Sequence, residues 1–221
     1  MSIYLDKFIK VSNFMSTINF IHIAKNAGSS IEKYCNKNKR IRYHGHDAEV
    51  SCLENQMIII RDPYSRFCSA VRYAIKNYPD SQKIRKIINA GLITPNHWAE
   101  AWADKSHTHH NLIMNEIKNH EHKIDSVKIP LKWTYIPQHY WINESKLRYV
   151  VPFDDINSYL LYRFDLKVPV INKSKYKKDQ QIDYLSDKSK NFLKEIYKKD
   201  FEFIEKYSNF QVSTWYLNSK H

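Results

Sequence analysis

The chain has 221 residues, 43% of them apolar and 14% aromatic, enough to build one domain with a proper core and to exclude wholesale disorder. It carries 35 Lys+Arg against 23 Asp+Glu, a formal charge of +12, which asks for an anionic partner: nucleic acid, acidic glycan, nucleotide or membrane surface. Only eight of those cations are Arg and 27 are Lys, the bias of an A/T-rich coding sequence, so charge alone does not choose a function.

Met1 to Lys10 places Asp6 and Lys10 where a signal peptide would be apolar, and it lacks a small-residue cleavage site. No apolar run approaches the roughly 18–20 residues of a membrane span. The expectation is a soluble, cytoplasmic, single domain over 1–221, or a piece of a longer chain. Thr17 to Ala24 alternates and is rich in β-branched and aromatic residues, which predicts a strand. Lys25-Asn26-Ala27-Gly28-Ser29-Ser30 reads as a turn, and Ile31 to Lys37 as the helix that follows. A second strand is expected over Arg40 to Tyr43, ending at His44-Gly45-His46. The continuous apolar run Gln56 to Ile60 predicts a strand buried on both faces. Arg61-Asp62-Pro63 then opens a helix to Asn77, with Asp62 as N-cap and Pro63 at the first helical position.

Tyr78 to Lys128 is weakly patterned and reads as helical. Further on, Lys146 to Pro152 and Val168 to Ile171 read as strands and Asp154 to Phe164 as a helix. Lys173 to Lys178 reads as a basic loop, and Ser186 to Tyr207 as one long amphipathic helix. Strand and helix alternate, so the fold class is α/β with a mainly parallel sheet.

Two segments carry chemistry. The first strand–turn–helix has the layout of a phosphate-binding loop, with backbone N–H groups and a helix dipole aimed at an anion. It is not a Walker A loop, because Lys25 precedes Gly28 and the G-x-x-x-x-G-K-[ST] pattern is absent; a plain turn with a surface lysine is the competing reading. Gly28 is one of only three glycines, a residue such a chain keeps where the backbone approaches something closely. The second segment, Arg61 to Ser69, starts where a buried strand ends, the place where open α/β sheets bind ligands. Arg61 there suits a phosphate and Ser69 adds a hydroxyl. Arg66 reads as structural.

Together these segments resemble the sulfotransferases that use 3′-phosphoadenosine 5′-phosphosulfate (PAPS). Phe20 to Ser30 resembles the family's 5′-phosphosulfate loop, and Ile60 to Ala70 its 3′-phosphate motif. The likeness is greatest to the carbohydrate sulfotransferases that include the uronyl 2-O-sulfotransferases, in which a Tyr-His-Gly-His segment lies between the two motifs, as Tyr43-His44-Gly45-His46 does here. Pro137-Gln138, Val151 to Asp155, Asn172-Lys173-Ser174 and Tyr197 to Phe201 resemble later landmarks of the family. The resemblance implies a P-loop-type three-layer fold, a central, mainly parallel sheet flanked by helices. It implies PAPS as donor, 3′-phosphoadenosine 5′-phosphate as product, and a hydroxyl-bearing acceptor, a glycan. It makes His46 the general base, with His44 as runner-up or second acceptor contact. Lys25 with Asn26 and the amides of Ala27, Gly28, Ser29 and Ser30 takes the 5′ side of the nucleotide, and Arg61 and Ser69 the 3′-phosphate. The resemblance also places Lys173 and Ser174 in a loop closing over the nucleotide, with a solvated lysine-rich turn among Lys175, Lys177 and Lys178 as the competing reading.

The chemistry supports such a set without the name. An alcohol is a poor nucleophile and wants a base near neutral pKa. A leaving phosphate gains charge and wants a lysine and a helix N-terminus. No metal is demanded, and Cys35, Cys52 and Cys68 have no metal-ligand spacing. His97, His107, His109, His110, His120 and His122 match no zinc motif and read as a solvated or acceptor-facing helix. Trp98, Trp102, Trp133 and Trp141 read mainly as core, one or two of them lining an acceptor cleft, and Gln138 and His139 are further acceptor candidates. Golgi members of the family carry a membrane anchor and lumenal disulfides, for which nothing here stands. Nucleic acid is not the expected partner. The alternative from another class is a basic nucleotide- or nucleic-acid-binding protein of the same fold without turnover.

Overall fold

β-Branched and aromatic residues in alternation form β1 (Ile18–Ile21), whose Ile18 and Phe20 face one layer and Ile21 the other. The computed structural model describes residues 17–35, 39–118, 121–164 and 185–207. The chain turns from β1 into α1 (Gly28–Cys35) and returns to β2 (Ile41–His44). An 11-residue crossover with a single helical turn at Val50–Cys52 leads to β3 (Gln56–Ile60), buried at every position as its unbroken apolar run predicts. Asp62 caps α2 (Pro63–Asn77) by accepting from the Ser65 amide at 2.7 Å, with Pro63 at its first position.

Three helices follow: α3 (Gln82–Asn89), α4 (Pro95–Ala103) and α5 (His110–Ile117). The helical expectation for 78–128 then fails at its end. His122–Ile124 (β4) and Val127–Ile129 (β5) form an antiparallel hairpin, and Asp125 and Ser126 at its turn both have positive φ. Two residues with φ above zero match the twist of paired strands, and three-residue strands are too short to show a period of two. Next come β6 (Leu147–Pro152), α6 (Ile156–Phe164) and α7 (Asp187–Ile196). The expected single helix to Tyr207 is interrupted at Tyr197, which leaves the helical conformation before helical turns resume over 198–207. The expected strand at 168–171 and the loop with Lys173 and Ser174 lie outside the described residues.

β1, β2, β3 and β6 form one parallel sheet in the order β2-β1-β3-β6. α1 and α6 cover one face around Phe20, Ile31, Met57, Ile59 and Leu160. The hairpin, Trp141 and Phe203 pack on the other face against Ile21, Ile58 and Val150. A third cluster joins α2, α3, α4, α5 and α7 around Phe67, Trp98 and Ile113. The protein is thus α/β, a four-stranded parallel sheet flanked by helices. Among the described residues, no helix is long and apolar enough to cross a membrane. Strand connections diverge from the centre: β1 leads to β2 on one side, while β3 leads to β6 on the other. That divergence opens a crevice beyond the carboxyl ends of β1 and β3, the place where open α/β sheets take ligands.

Candidate functional site

The Lys25 loop follows β1 and Arg61 follows β3, so the two segments flank that crevice. The loop is strained. Lys25 and Ala27 hold φ of 67° and 62°, a left-handed conformation that costs a residue with a side chain about 1–2 kcal/mol. Four hydrogen bonds hold it there. Arg66 Nε donates to the Ala24 carbonyl at 2.9 Å and Arg61 Nη1 to the Lys25 carbonyl at 3.0 Å. Asn26 Nδ2 donates to the Ile59 carbonyl at 2.6 Å and to Gln138 Oε1 at 2.5 Å. Two left-handed residues in so short a loop let backbone N–H groups turn toward one concavity, a form that holds anions; the Asn26 and Ser30 amides are instead bonded within the loop, to the Ile23 carbonyl at 3.2 Å and the Ala27 carbonyl at 2.9 Å. The leading amides of α1, at Gly28 and Ser29, have no intrahelical acceptor.

Cations crowd the same place. Burial, with the charges of Arg61 and Arg66, lowers the Lys25 ammonium to about 8, and its Nζ lies 3.7 Å from the centre of the Tyr73 ring. Burial brings Arg61 down to about 10, with Asp154 and Asp62 opposing the shift; its guanidinium stacks on Phe153 at 4.2 Å and bonds Ser65 Oγ at 3.1 Å. Arg66 is fully buried and bears on the loop through Ala24, in keeping with its structural reading. An anion in the loop would offset the mutual repulsion of the three. Ser69 is half-buried one helical turn along from Ser65 on the same face of α2, Ser29 is exposed, and Ser30 is buried in the first turn of α1.

Gly28 does have a close neighbour, and it is part of the protein. A Cβ there would stand 1.7 Å from His22 Cδ2. The His22 imidazole is buried and held neutral, its pKa brought down to about 3 by burial and then by the charges of His46 and Lys25. Its Nδ1 meets the Tyr43 hydroxyl at 2.5 Å, and the Tyr43 phenol is in turn pushed up to about 12 by burial.

His46 stacks on Trp133 at 4.3 Å and meets His22 at 4.2 Å with the rings tilted by 45°. Its Nδ1 lies 2.9 Å from the His22 carbonyl. A carbonyl only accepts, so the proton sits on Nδ1 and Nε2 keeps its lone pair. The His46 carbonyl accepts from Trp141 Nε1 at 2.9 Å and His122 Nε2 at 3.1 Å, and His122 also meets Asp47 at 3.1 Å. Burial holds His46 below the ordinary imidazole range, opposed by its bond to the His22 carbonyl. His44 goes elsewhere: its Nε2 meets Asn19 Oδ1 at 2.8 Å, and Asn19 lies two residues back from the β1 position paired with His44. His44 is the last residue of β2 and His46 lies in the turn beyond it, which is where their neighbours diverge.

Several residues differ from their expected places. Gln138 is 1% exposed and is no acceptor contact. Its Oε1 accepts from Asn26 Nδ2 and the Arg61 amide, and its Nε2 donates to the Arg61 carbonyl, tying both loops together. His139 is tied to buried Asp200, whose carboxylate accepts from the Gln138 amide at 2.7 Å, the His139 amide at 2.9 Å and His139 Nδ1 at 3.0 Å. His122 lies on a strand rather than a helix, directly behind His46. Trp98, Trp102 and Trp141 are core, and Trp133 is the half-buried one at the site. Tyr73 is a site-supporting residue that no local motif announces, and Asp200 lies in the Tyr197 to Phe201 landmark without its bracing role being legible there, since each acts through a partner far away in sequence. No group of His, Cys, Asp and Glu among the described residues is arranged to hold a metal ion.

Asp200→Ala removes an acceptor from three donors at once in a buried position. It is expected to cost about 3 kcal/mol or more, read as a lower urea midpoint. A loss under about 1 kcal/mol would contradict the bracing role given to this carboxylate.

Set against known protein families, curated proteins and solved structures, the chain matches none of them.

Proposed function

We propose that the protein is a PAPS-dependent sulfotransferase that moves a sulfuryl group to a hydroxyl, with a carbohydrate as acceptor, on a P-loop-type three-layer fold. The observation that carries this reading is convergence. The loop after β1, Arg61 after β3 and His46 after β2 all stand at the carboxyl ends of neighbouring parallel strands, bonded to one another through Arg61–Lys25 and His46–His22.

PAPS would supply an activated sulfuryl group whose leaving group is a phosphate already negatively charged. The residues present fit it: a strained, anion-ready loop, crowded cations beside it, and a half-buried hydroxyl at Ser69. His46 Nε2 takes the proton of the acceptor hydroxyl as its oxygen forms the new bond to sulfur. The bridging sulfur–oxygen bond breaks on the opposite side, and its electron pair leaves with the phosphate. Lys25 and the amides of Ala27, Gly28 and Ser29 face that growing charge, which is where preorganised donors lower a barrier most; the Asn26 and Ser30 amides shape the loop through their bonds to the Ile23 and Ala27 carbonyls. Arg61 and Ser69 take the 3′-phosphate, with Lys173 and Ser174 assigned to the nucleotide by the sequence resemblance.

Thermal unfolding with 3′-phosphoadenosine 5′-phosphate, and with ATP as control, tests the donor. At a hundredfold excess over Kd the first should stabilise by about 2.7 kcal/mol, a rise in Tm of roughly 5–10 °C for a chain of this size. Lys25→Ala should weaken that shift, and Arg61→Ala should erase the preference for the 3′-phosphorylated nucleotide. No shift with either nucleotide, together with salt-sensitive nucleic-acid binding, would favour the non-catalytic alternative.

A further inference from the structure

A groove of about 480 Å³ opens between the end of α2, the start of α3, α5 and the segment before Tyr135, a volume within the range of roughly 300–1,000 Å³ usual for small-molecule sites. Its walls are joined to the proposed catalytic groups on two sides. Trp133 lines it and stacks on His46. Tyr78 lines it and packs edge-on against Tyr73, at 5.8 Å and 78°, and the Tyr73 ring carries Lys25 Nζ on its face. A molecule in the groove therefore lies between the aromatic supports of the proposed base and of the proposed leaving-group cation.

The lining itself indicates what would fit. Tyr78 is 43% exposed although it is large and aromatic, and Trp133 is half-buried. Such faces stack on the apolar face of a sugar ring, and their edges leave room for hydroxyl partners. At one wall the buried carboxylate of Glu116 is paired with Lys132. The pair neutralises itself and still offers an acceptor oxygen and ammonium hydrogens to ring hydroxyls. Lys83 is exposed at the rim and has no acidic partner among the described residues. The lining thus carries one cation more than anions.

We propose that this groove is the acceptor subsite and that it takes an acidic sugar, a ring stacked on Trp133 and Tyr78 with its carboxylate or sulfate on Lys83. The assignment rests on the sulfotransferase reading for its role and on the groove's own lining for its ligand.

The test measures equilibrium binding of three acidic tetrasaccharides (hyaluronan, alginate and polygalacturonate) and of neutral chitotetraose and cellotetraose. It uses the full chain, Lys83→Glu, which reverses the rim charge, and Gln82→Trp, which fills the groove from an exposed position of α3. At least one acidic probe should bind the wild type about tenfold more tightly than the neutral ones and lose about tenfold in each variant. The rise in Tm with 3′-phosphoadenosine 5′-phosphate should be the same in all three proteins. Failure of every acidic probe to bind, equal binding of acidic and neutral probes, or binding unaltered by both variants would overturn the groove assignment. A wild type that binds the acidic probes in this pattern but shows no nucleotide shift would sink the sulfotransferase reading instead, leaving a sugar-binding groove.

Discussion

His46→Ala is expected to lower the transfer rate by about 10²–10⁴, the usual contribution of a positioned general base, while leaving the Tm rise with 3′-phosphoadenosine 5′-phosphate intact. The tautomer is the reason. Nδ1 is committed to the His22 carbonyl, so Nε2 alone can accept a proton, and the stacked Trp133 ring with the tilted His22 ring beside it restricts the imidazole. His44 is already committed to Asn19, so His44→Ala should keep most of the activity. Loss of turnover in His44→Ala with full turnover in His46→Ala would reverse the assignment. The pH profile adds a second reading. The neutral imidazole is the active form, so rate falls as pH drops through the His46 pKa. Burial lowers that pKa; the bond to the His22 carbonyl and Asp47 oppose the shift, and His122 and Arg66 add to it. The acid limb should therefore lie below the free imidazole value of about 6.5. A limb at or above that value would argue against His46 as the group observed.

Alanine at Gly28 is expected to destabilise the protein by about 3 kcal/mol or more, at the upper end for a buried overpacking substitution. One methyl group has this effect because of what surrounds it. The added Cβ would stand 1.7 Å from the His22 ring, and that ring cannot simply swing aside. It is bonded to the Tyr43 hydroxyl and pressed by His46, so moving it displaces the proposed base. Urea unfolding should show the loss, and the double variant Gly28→Ala/His22→Ala should recover a substantial part of it by removing the obstacle. A Gly28→Ala protein as stable as the wild type would mean that α1 shifts freely relative to β1. In that case the loop conformation at Lys25 and Ala27 would not be braced as the hydrogen bonds indicate.

Local signals in the sequence were strong enough to place most of the secondary elements that build the sheet. The apolar run Gln56 to Ile60 is a strand buried throughout, and Asp62-Pro63 opens a helix with the cap and first residue that its chemistry dictates. Capping and burial depend on residues close together in the chain, so they can be read from it. The hairpin at His122 to Ile129 and the break at Tyr197 were not legible. The first has strands too short to show a period. The second coincides with anchors made far away, the Tyr197 hydroxyl on the Tyr135 carbonyl and Asp200 on Gln138 and His139.

The candidate site divides the same way. Residue types and order, a Lys–Gly loop, a His-Gly-His segment and an Arg-Asp-Pro helix start, determine by themselves which side chains are available for anion binding and base chemistry, because these depend on composition and local spacing. Tertiary structure alone decided the partners of the two neighbouring histidines, since His44 ends β2 beside Asn19 while His46 lies in the turn beyond it, where only the His22 carbonyl fixes its tautomer. It also decided that Gly28 makes room for the histidine just past the preceding strand, and that Gln138 is a buried tie between two loops. Each of these depends on atoms brought within a few ångströms by the parallel sheet, a distance that separation along the chain does not encode.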